Sequence, residues 1–287
     1  YTLLKQNGAY FVPLNTNDIH VKRAFFFPWT KGIARRLQIS DISKFANAVD
    51  PSKIPIMQNF TIDFDRITHI AIAGNSGSGK SFNLIYWLNI LKTFCDLVVI
   101  DPKFDSPSRW AVKNNIKLVY PNHNSNQNDF VSQVNDELSQ AVNTIAARQR
   151  KLFDNPKLIF KHKVIVIDEL LALSTVASKQ IKESFFSLLS QIALLGRSTN
   201  VHLLTVSQRY DHNTLPVACR EQFNLMLQLG NINRKTTQFL FPDLENSDEI
   251  VIPKGIGTGL LQVVDGVHPS NVFPLLTPTF KDEEGIL

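Results

Sequence analysis

The chain contains 287 residues, of which 44% are hydrophobic and 19% are charged. This length and composition predict a globular protein with a sizeable core and exclude a disordered chain. No apolar run reaches the roughly 18–20 residues that a membrane-spanning helix needs, and no signal-peptide pattern is present. Since the chain begins at Tyr1 rather than Met, we allow for membrane segments outside it. Cys95 and Cys219 match no metal-binding spacing, so we expect buried free thiols in a reducing cytoplasm.

The net charge of +5 is concentrated in one part of the sequence. Residues 1–60 contain eight Lys or Arg and three Asp, whereas basic and acidic residues balance in the remainder. A basic arm on a neutral core suits an anionic partner such as DNA or a membrane surface. The alternative interpretation is an ordinary solvated face.

In chain order, residues 1–60 predict an accessory segment. It contains an apolar stretch at Tyr10–Val12, an aromatic cluster at Phe25–Trp29 and a short helix near Asp41–Val49. From residue 61, apolar runs that are typical of strands buried on both faces of a parallel sheet alternate with helical patterns. The predicted strands are His69–Ala73, Leu97–Ile100, Val164–Ile167, Val201–Val206 and Phe223–Leu229. The predicted helices are Lys80–Phe94, Phe130–Phe153, Ser178–Leu195 and Arg234–Phe241. This alternation predicts an α/β fold.

A phosphate-binding loop follows the first of these strands. Its residues are Gly74-Asn75-Ser76-Gly77-Ser78-Gly79-Lys80-Ser81, which fit the pattern G-x-x-x-x-G-K-[ST] at every fixed position. Glycines allow successive N–H groups to face phosphate oxygens, and the helix N-terminus that follows adds partial positive charge. Lys80 suits the β- and γ-phosphates, and the Ser81 hydroxyl suits Mg²⁺. The sequence therefore predicts binding of ATP and Mg²⁺.

Two acidic residues, Asp168 and Glu169, directly follow the apolar run Val164–Ile167. Ligands of open α/β sheets bind at the carboxyl ends of the strands, where these side chains are expected. We predict that Asp168 holds Mg²⁺, directly or through water, and that Glu169 polarises the attacking water. An ordinary solvated strand end is the alternative.

Three further motifs narrow the class of protein. Asp101-Pro102-Lys103 ends the second strand, Leu195–Arg209 contains a Gly-Arg and a Val-His-Leu sequence before Ser-Gln-Arg, and Gly255–Gln262 is glycine-rich. In this order, over roughly residues 55–275, the motifs resemble the FtsK/SpoIIIE branch of the FtsK–HerA motor ATPases. Asn200 and Tyr210 depart from the usual pattern at loop positions, and Asn tolerates the left-handed conformation that the usual glycine supplies.

The resemblance implies a RecA-like core with a mostly parallel central sheet flanked by helices, plus a small N-terminal accessory segment. We place the accessory segment at residues 1–55, the motor at 56–275 and a tail at 276–287. Motors of this branch form rings, usually hexamers, that hydrolyse ATP and drive DNA through the centre, so we expect a homo-oligomer, or a monomer for an isolated fragment. DNA-contacting pore-loop candidates are residues 103–109 and 231–235, with ordinary solvated loops as the alternative.

Two more catalytic residues are implied by the resemblance. Gln208 ends the strand beside the acidic strand and would sense the γ-phosphate; a polar strand cap is the alternative. Arg197 lies where related motors place an arginine finger, which acts on the nucleotide of the neighbouring subunit. A surface arginine is the alternative, and Arg209 and Arg220 are weaker candidates for this role.

The sequence before the phosphate loop, Thr61–His69, resembles the coupling proteins of Gram-positive conjugative elements. That resemblance implies relaxase or secretion-channel partners and a cytoplasmic position at the inner face of the membrane, with membrane contact only through segments outside this chain. One alternative function is an EccC-like protein-export ATPase of type VII secretion, although such chains carry tandem ATPase domains. A second alternative is a nucleotide-gated assembly module with little turnover.

Overall fold

The structure is a computed structural model of the chain. It describes residues 10–13, 23–26, 34–122, 126–176, 178–232, 234–244, 252, 255–281 and 286. Two short strands near the N-terminus, β1 (Tyr10–Pro13) and β2 (Arg23–Phe26), pair with each other in antiparallel orientation. They correspond to the apolar stretch and the aromatic cluster that the sequence indicates.

An eight-stranded sheet forms the centre of the fold. Its strands are β6 (Ile70–Gly74), β7 (Asp96–Ile100), β8 (Lys117–Val119), β9 (Lys163–Ile167), β10 (Val201–Ser207), β11 (Leu225–Leu229), β12 (Thr258–Val263) and β13 (Phe273–Leu276). The strand order is β13-β12-β11-β6-β10-β9-β7-β8. The strands from β11 to β8 are parallel, and β12 and β13 add antiparallel pairs at one edge. The parallel strands therefore present their carboxyl ends at one common edge.

Helices cover both faces of this sheet. They are α1 (Ile42–Ala48), α2 (Lys80–Leu91), α3 (Ser106–Lys113), α4 (Gln127–Asp154), α5 (Leu170–Val176), α6 (Lys179–Leu195), α7 (Val217–Arg220) and α8 (Arg234–Leu240). One hydrophobic cluster joins the sheet to α1, α2 and α3, and a second joins the opposite face to α4, α5 and α6. The two clusters give the three-layer arrangement that an apolar parallel sheet requires.

The predicted α/β fold is confirmed. The core strands and helices begin and end within a few residues of the predicted bounds, because their apolar periodicity is strong. The helix α4 is a clear case, since Asn126 accepts a hydrogen bond from the N–H of Asp129 and completes a capping box at its N-terminus. The sequence did not predict several shorter elements, namely α3, α5, β8, β12 and β13. Each of them is short or lies beside a motif whose residue types are typical of a loop.

The segments that flank the motor core pack on one face of the sheet. The strand β4 (Ile54–Met57) pairs with β5 (Phe60–Ile62), and β3 (Gln38–Ile39) pairs with β14 (Thr279–Phe280). Ile286 shares the hydrophobic cluster of α1 and α2. Residues on both sides of the proposed boundaries at 55 and 275 thus contribute to one core, and the boundaries themselves stay predictions.

Cys95 and Cys219 are buried free thiols, in agreement with the sequence. Within the described ranges, no helix combines the length and the apolar character needed to cross a bilayer.

Candidate functional site

The phosphate loop connects the carboxyl end of β6 to the N-terminus of α2. Gly77 and Gly79 adopt left-handed conformations, with φ of 75° and 99°, which L side chains rarely adopt. The Lys80 ammonium donates hydrogen bonds to the carbonyl oxygens of Gly74 and Asn75, at 2.6 and 3.0 Å. The lysine therefore lies folded back over the loop, where anionic oxygens would replace these carbonyl partners.

The floor of the loop is closely packed. A Cβ atom at Gly74 would lie 2.6 Å from both the carbonyl oxygen of Leu229 and Oγ of Ser78, so only glycine fits there. The Ser78 Oγ atom is buried and has no hydrogen-bond partner among the described residues. The loop therefore combines a curled backbone, the Ser78 hydroxyl that is unpartnered within the described ranges and the nearby ammonium group of Lys80, and this combination fits a phosphate chain.

The two predicted acidic residues lie at the same sheet edge as the phosphate loop. Asp168 directly follows β9, and its N–H donates to the carbonyl oxygen of Ile100 at 2.9 Å. Asp168 and Glu169 are only 6% and 4% exposed. One strand, β10, separates β9 from β6, so the acids lie on the order of 10 Å across the edge from the loop strand.

Glu169 adopts a left-handed conformation with φ of 51°, which is strained for a residue with a side chain. Strain of this kind costs about 1–3 kcal/mol and is typical of functional positions. One carboxylate oxygen of Glu169, Oε1, is buried without a hydrogen-bond partner among the described residues. That oxygen is suitably placed to accept a hydrogen bond from a water molecule.

Burial and neighbouring charges shift the ionisation of this cluster. Burial, followed by the carboxylate of Asp101, raises the pKa of Asp168 to about 7, against the opposing effect of Lys103. Burial also lowers the pKa of Lys80, while Glu169 acts in the opposite direction. The acids thus favour an additional cation, and this charge arrangement fits a divalent metal.

Sequence reasoning missed two members of the site, Asp101 and Lys103. Asp101 is fully buried and accepts hydrogen bonds from the N–H groups of Lys103 and Asp105, both at 2.9 Å, and from Oγ of Ser108 at 2.6 Å. The turn that Asp101 organises presents Lys103, whose ammonium lies 2.5 Å from Oε2 of Glu169. The signal was the Asp-Pro-Lys motif, which indicated the class of protein, while Lys103 was expected in a pore-loop candidate rather than beside Glu169.

The donor set around the acids fits Mg²⁺. This ion is usually bound through one or two carboxylates together with phosphate oxygens and water. Ser81 is the second residue of α2, and Asp168 lies at the same sheet edge. The Ser81 hydroxyl and the Asp168 carboxylate are thus the side chains that would hold the ion.

Comparisons with known proteins indicate the class of protein to which the chain is similar. No protein-family model matches the chain. The chain is 26% identical over 226 residues to YdcQ of Bacillus subtilis, an FtsK domain-containing protein, covering 74% of this chain and 44% of YdcQ. It is 26% identical over 187 residues to the DNA translocase FtsK of Campylobacter jejuni, covering 58% of this chain and 19% of that protein.

The chain is similar in sequence to FtsK-domain proteins. The resemblance to the FtsK/SpoIIIE branch is therefore confirmed. The chain spans less than half the length of these curated relatives.

Solved structures show the same fold. The structure of the pCW3 conjugation coupling protein TcpA, in a monomer form with ATPγS, superposes with a TM-score of 0.68 at 18% identity, covering 89% of this chain and 73% of TcpA. The cytoplasmic domain of the type VII secretion ATPase EccC from Thermomonospora curvata gives a TM-score of 0.56 at 18% identity, covering 81% of this chain and 30% of EccC. Both comparisons confirm the predicted α/β fold with its mostly parallel central sheet.

Gln208 lies beside the phosphate loop. It follows the last residue of β10, the strand between the phosphate-loop strand β6 and the acidic strand β9. Ser207 is paired with Ala73, which precedes Gly74. Gln208 also lines a small cavity together with Gly74 and Asn75. The structure thus brings Gln208 together with the phosphate loop.

Arg197 lies at the opposite, amino-terminal edge of the sheet. It begins a short 3-10 turn before β10, and its side chain is exposed. The length of β10 places it on the order of 20 Å from the phosphate loop of its own chain. Asn200, in the same turn, has φ of 53°, so this residue takes the left-handed conformation as expected. The structure does not bring Arg197 into its own site, which is the arrangement that action on a neighbouring subunit requires.

The weaker arginine candidates make contacts within the chain. Arg209 forms an ion pair with Asp211 at 2.8 Å, and Arg220 donates to the carbonyl oxygen of Tyr210 at 2.6 Å. The first pore-loop candidate, residues 103–109, contains the contact between Lys103 and Glu169. The second candidate, residues 231–235, lies partly outside the described residues.

Proposed function

We propose that this chain is the motor domain of an ATP-hydrolysing DNA translocase that assembles as a homo-oligomeric ring. One observation carries the proposal: two buried acids, Asp168 and Glu169, lie at the same sheet edge as a glycine loop covered by Lys80. A binding module would need only the loop. Buried acids at that distance from a phosphate chain support hydrolysis.

In this proposal, the N–H groups of residues 74–81 and the Lys80 ammonium bind the phosphate chain. Lys80 would exchange its two carbonyl partners for phosphate oxygens as nucleotide binds. Ser81 and Asp168 would hold Mg²⁺, which supplies charge neutralisation on the β- and γ-phosphates. Ionisation of Asp168 is favoured by that arrangement, since an added cation offsets the carboxylate of Asp101.

Glu169 is the proposed general base. Its free oxygen Oε1 would orient the attacking water and accept its proton, while Lys103 holds the other oxygen. Gln208 would contact the γ-phosphate and link its loss to movement of β10. Arg197 would donate to the phosphoryl oxygens bound by the neighbouring subunit, so that hydrolysis needs the ring.

DNA is the proposed cargo because relatives of this chain are DNA translocases. Within that class we propose a coupling ATPase of conjugative transfer, supported by the fold shared with TcpA over 89% of this chain. A relaxase or secretion-channel protein would then deliver or receive the DNA. Such a motor would act in the cytoplasm at the inner face of the membrane.

Protein export is the second candidate function. It is supported by the fold shared with EccC and by the Gly-Arg-Ser, Val-His-Leu-Leu and Ser-Gln-Arg sequences in residues 196–209. We favour DNA as the substrate, because curated relatives are DNA translocases and because the TM-score with TcpA, 0.68, is higher than that with EccC, 0.56.

A single set of rate measurements tests the proposal. The ATPase rate of the chain is measured alone, with single-stranded DNA, with double-stranded DNA and with a secretion-substrate peptide, and Lys80→Ala serves as the inactive control. We expect DNA to raise the rate and the peptide to leave it unchanged. Stimulation by the peptide alone would favour protein export, and absence of nucleotide binding would overturn the ATPase proposal itself.

A further inference from the structure

A short turn at Gly255–Gly257 lies directly against the phosphate loop. The N–H of Gly257 donates to the carbonyl oxygen of Ser78 at 2.9 Å. Thr277 donates to the carbonyl oxygen of Gly257 from its N–H at 2.8 Å and from Oγ1 at 3.0 Å. These contacts fix the turn between the loop and the end of β13.

Arg36, in the segment before β3, also forms a hydrogen bond with the Gly255–Gly257 turn. Its Nη2 atom donates to the carbonyl oxygen of Ile256 at 2.9 Å. Partial burial lowers the pKa of the guanidinium, which nevertheless stays charged at neutral pH. A residue from the N-terminal segment therefore holds a C-terminal turn in place over the phosphate loop.

The side chain at the tip of this turn, Ile256, is 69% exposed although its backbone is held by neighbours. A Cβ atom built at Gly79 would lie 3.0 Å from Cγ2 of Ile256, so this apolar side chain contacts the end of the phosphate loop. Single exposed apolar residues are common on surfaces. Ile256 differs because hydrogen bonds hold its turn beside the phosphate loop, so that it presents an apolar surface to whatever occupies that site.

The packing around the loop indicates on which side the rest of a nucleotide must lie. At Gly74 the loop is closed by the carbonyl oxygen of Leu229. On the side of β9 lie the carboxyl groups of Asp168 and Glu169, which suit a metal ion and a water molecule rather than an uncharged ring. The turn that carries Ile256 lies on a third side, next to Gly79.

A second apolar surface lies at the start of α2. Phe82 directly follows Ser81, and its ring stacks on that of Phe280 with centroids 4.1 Å apart and an interplanar angle of 28°. Phe280 belongs to β14, which pairs with β3 close to Arg36. The segment around β3, which contains Arg36, and its partner strand β14 thus lie beside the beginning of α2 as well.

We propose that Ile256 packs against the purine base of the bound nucleotide and that Arg36 is a positioning residue that holds Ile256 in this place. The inference rests on nucleotide binding as proposed above and adds the residues that recognise the base. A planar, uncharged ring suits an apolar side chain, since both lose water-exposed area on contact. The phosphate contacts alone would bind any polyphosphate.

The experiment compares two probes on the same proteins. Wild type, Ile256→Ser and Arg36→Met are titrated calorimetrically with ATP and with inorganic tripolyphosphate, both with Mg²⁺. The matched control is Ile159→Ser, because Ile159 is a 90% exposed isoleucine that precedes β9. We expect Ile256→Ser to weaken ATP binding about tenfold, the value for loss of one partly buried apolar contact, and to leave tripolyphosphate binding unchanged. Arg36→Met should show the same selective loss, and Ile159→Ser should match wild type.

Other outcomes overturn the inference in distinguishable ways. Equal ATP affinity in Ile256→Ser and wild type would mean that the base does not contact Ile256, while the phosphate site stands. Loss of both ligands in Ile256→Ser would show that the residue acts on the shape of the loop rather than on the base. If wild type bound neither ATP nor tripolyphosphate, the proposed function would fail together with this inference.

Discussion

The ammonium nitrogen of Lys103 lies 2.5 Å from Oε2 of Glu169, and this ion pair connects the ends of two neighbouring strands, β7 and β9. The glutamate side chain is only 6% exposed, whereas the lysine side chain is 49% exposed. Since β7 lies on the side of β9 away from β6, the pair directs one carboxylate oxygen away from the phosphate loop. Lys103 is therefore the main counter-charge of the proposed base before nucleotide binds.

Replacement of Lys103 by Met should destabilise the chain without nucleotide. Removal of one partner leaves a buried carboxylate beside Asp168, but half of the lysine side chain is in water, which reduces the loss. We expect the free energy of unfolding to fall by roughly 1–2 kcal/mol, below the value for a fully buried pair. Urea denaturation measures this change, and added Mg²⁺ with a nonhydrolysable ATP analogue should reduce it, because the ion supplies a new counter-charge.

Lys161→Met is the matched control for that measurement. Lys161 pairs with Asp96 at 2.6 Å, but both side chains are more than half exposed, so its loss should cost less than about 1 kcal/mol. Equal losses in the two variants would mean that the contact between Lys103 and Glu169 has no special role.

Glu169→Gln should separate binding from hydrolysis. Glutamine keeps the size of the side chain and one acceptor oxygen, but it cannot take a proton from water. We expect the dissociation constant for ATP to stay within a few-fold of wild type, while kcat falls about 100-fold or more. Glu183→Gln, on the exposed surface of α6, is the control and should leave both quantities unchanged. A Glu169→Gln variant with normal turnover would assign the base to another residue.

The sequence was sufficient for those parts of the site that are contiguous in the chain. Residues 74–81 form one loop between a strand and a helix, and Asp168 and Glu169 directly follow a strand, so local pattern places them correctly. Contiguity also explains why the core strands were predicted, since each is a single apolar run.

Contacts between distant segments could not be predicted in the same way. Lys103 and Glu169 are 66 positions apart, and Arg36 and Ile256 are 220 positions apart. Each contact depends on strand order and on the packing of irregular turns, which hydrophobic periodicity does not specify. The helix α3 was missed for a related reason: it is only eight residues long, and its first residues, Ser106-Pro107-Ser108, are types that are also common in turns.

Acid should destabilise the chain through a buried histidine. Burial lowers the pKa of His202 to about 3, and its ring contacts His162 at 2.9 Å and the carbonyl oxygen of Thr68 at 2.8 Å. The folded-state pKa lies below the unfolded value of about 6.5, so the unfolded chain binds the proton first. The stability due to neutral His202 is complete above that value and falls as the pH decreases toward 3.

A comparison with His202→Gln isolates this effect from other titrating groups, such as Asp168. Between pH 6.5 and 4.5, the unfolding free energy of wild type should fall more steeply than that of the variant, and the difference in slope should approach about 1.4 kcal/mol per pH unit at the lower end of this range. Urea denaturation at several pH values gives both slopes, and His212→Gln, at an exposed position, should behave as wild type. Parallel curves for wild type and His202→Gln would contradict the assignment.

Arg197 provides a test of the ring. Arg197→Ala should bind ATP normally, because Arg197 lies at the sheet edge opposite to its own phosphate loop, but hydrolysis should fall about 10³-fold if the side chain acts on the neighbouring nucleotide. Arg150→Ala, an exposed arginine of α4, is the control. A mixture of the two inactive variants, Lys80→Ala and Arg197→Ala, then tests whether Arg197 acts between subunits. Lys80→Ala subunits retain Arg197, and Arg197→Ala subunits retain an intact nucleotide site. In a ring assembled at random from equal amounts, about one interface in four combines both, so activity should reappear. A mixture as inactive as its components would exclude Arg197 as the residue that acts between subunits.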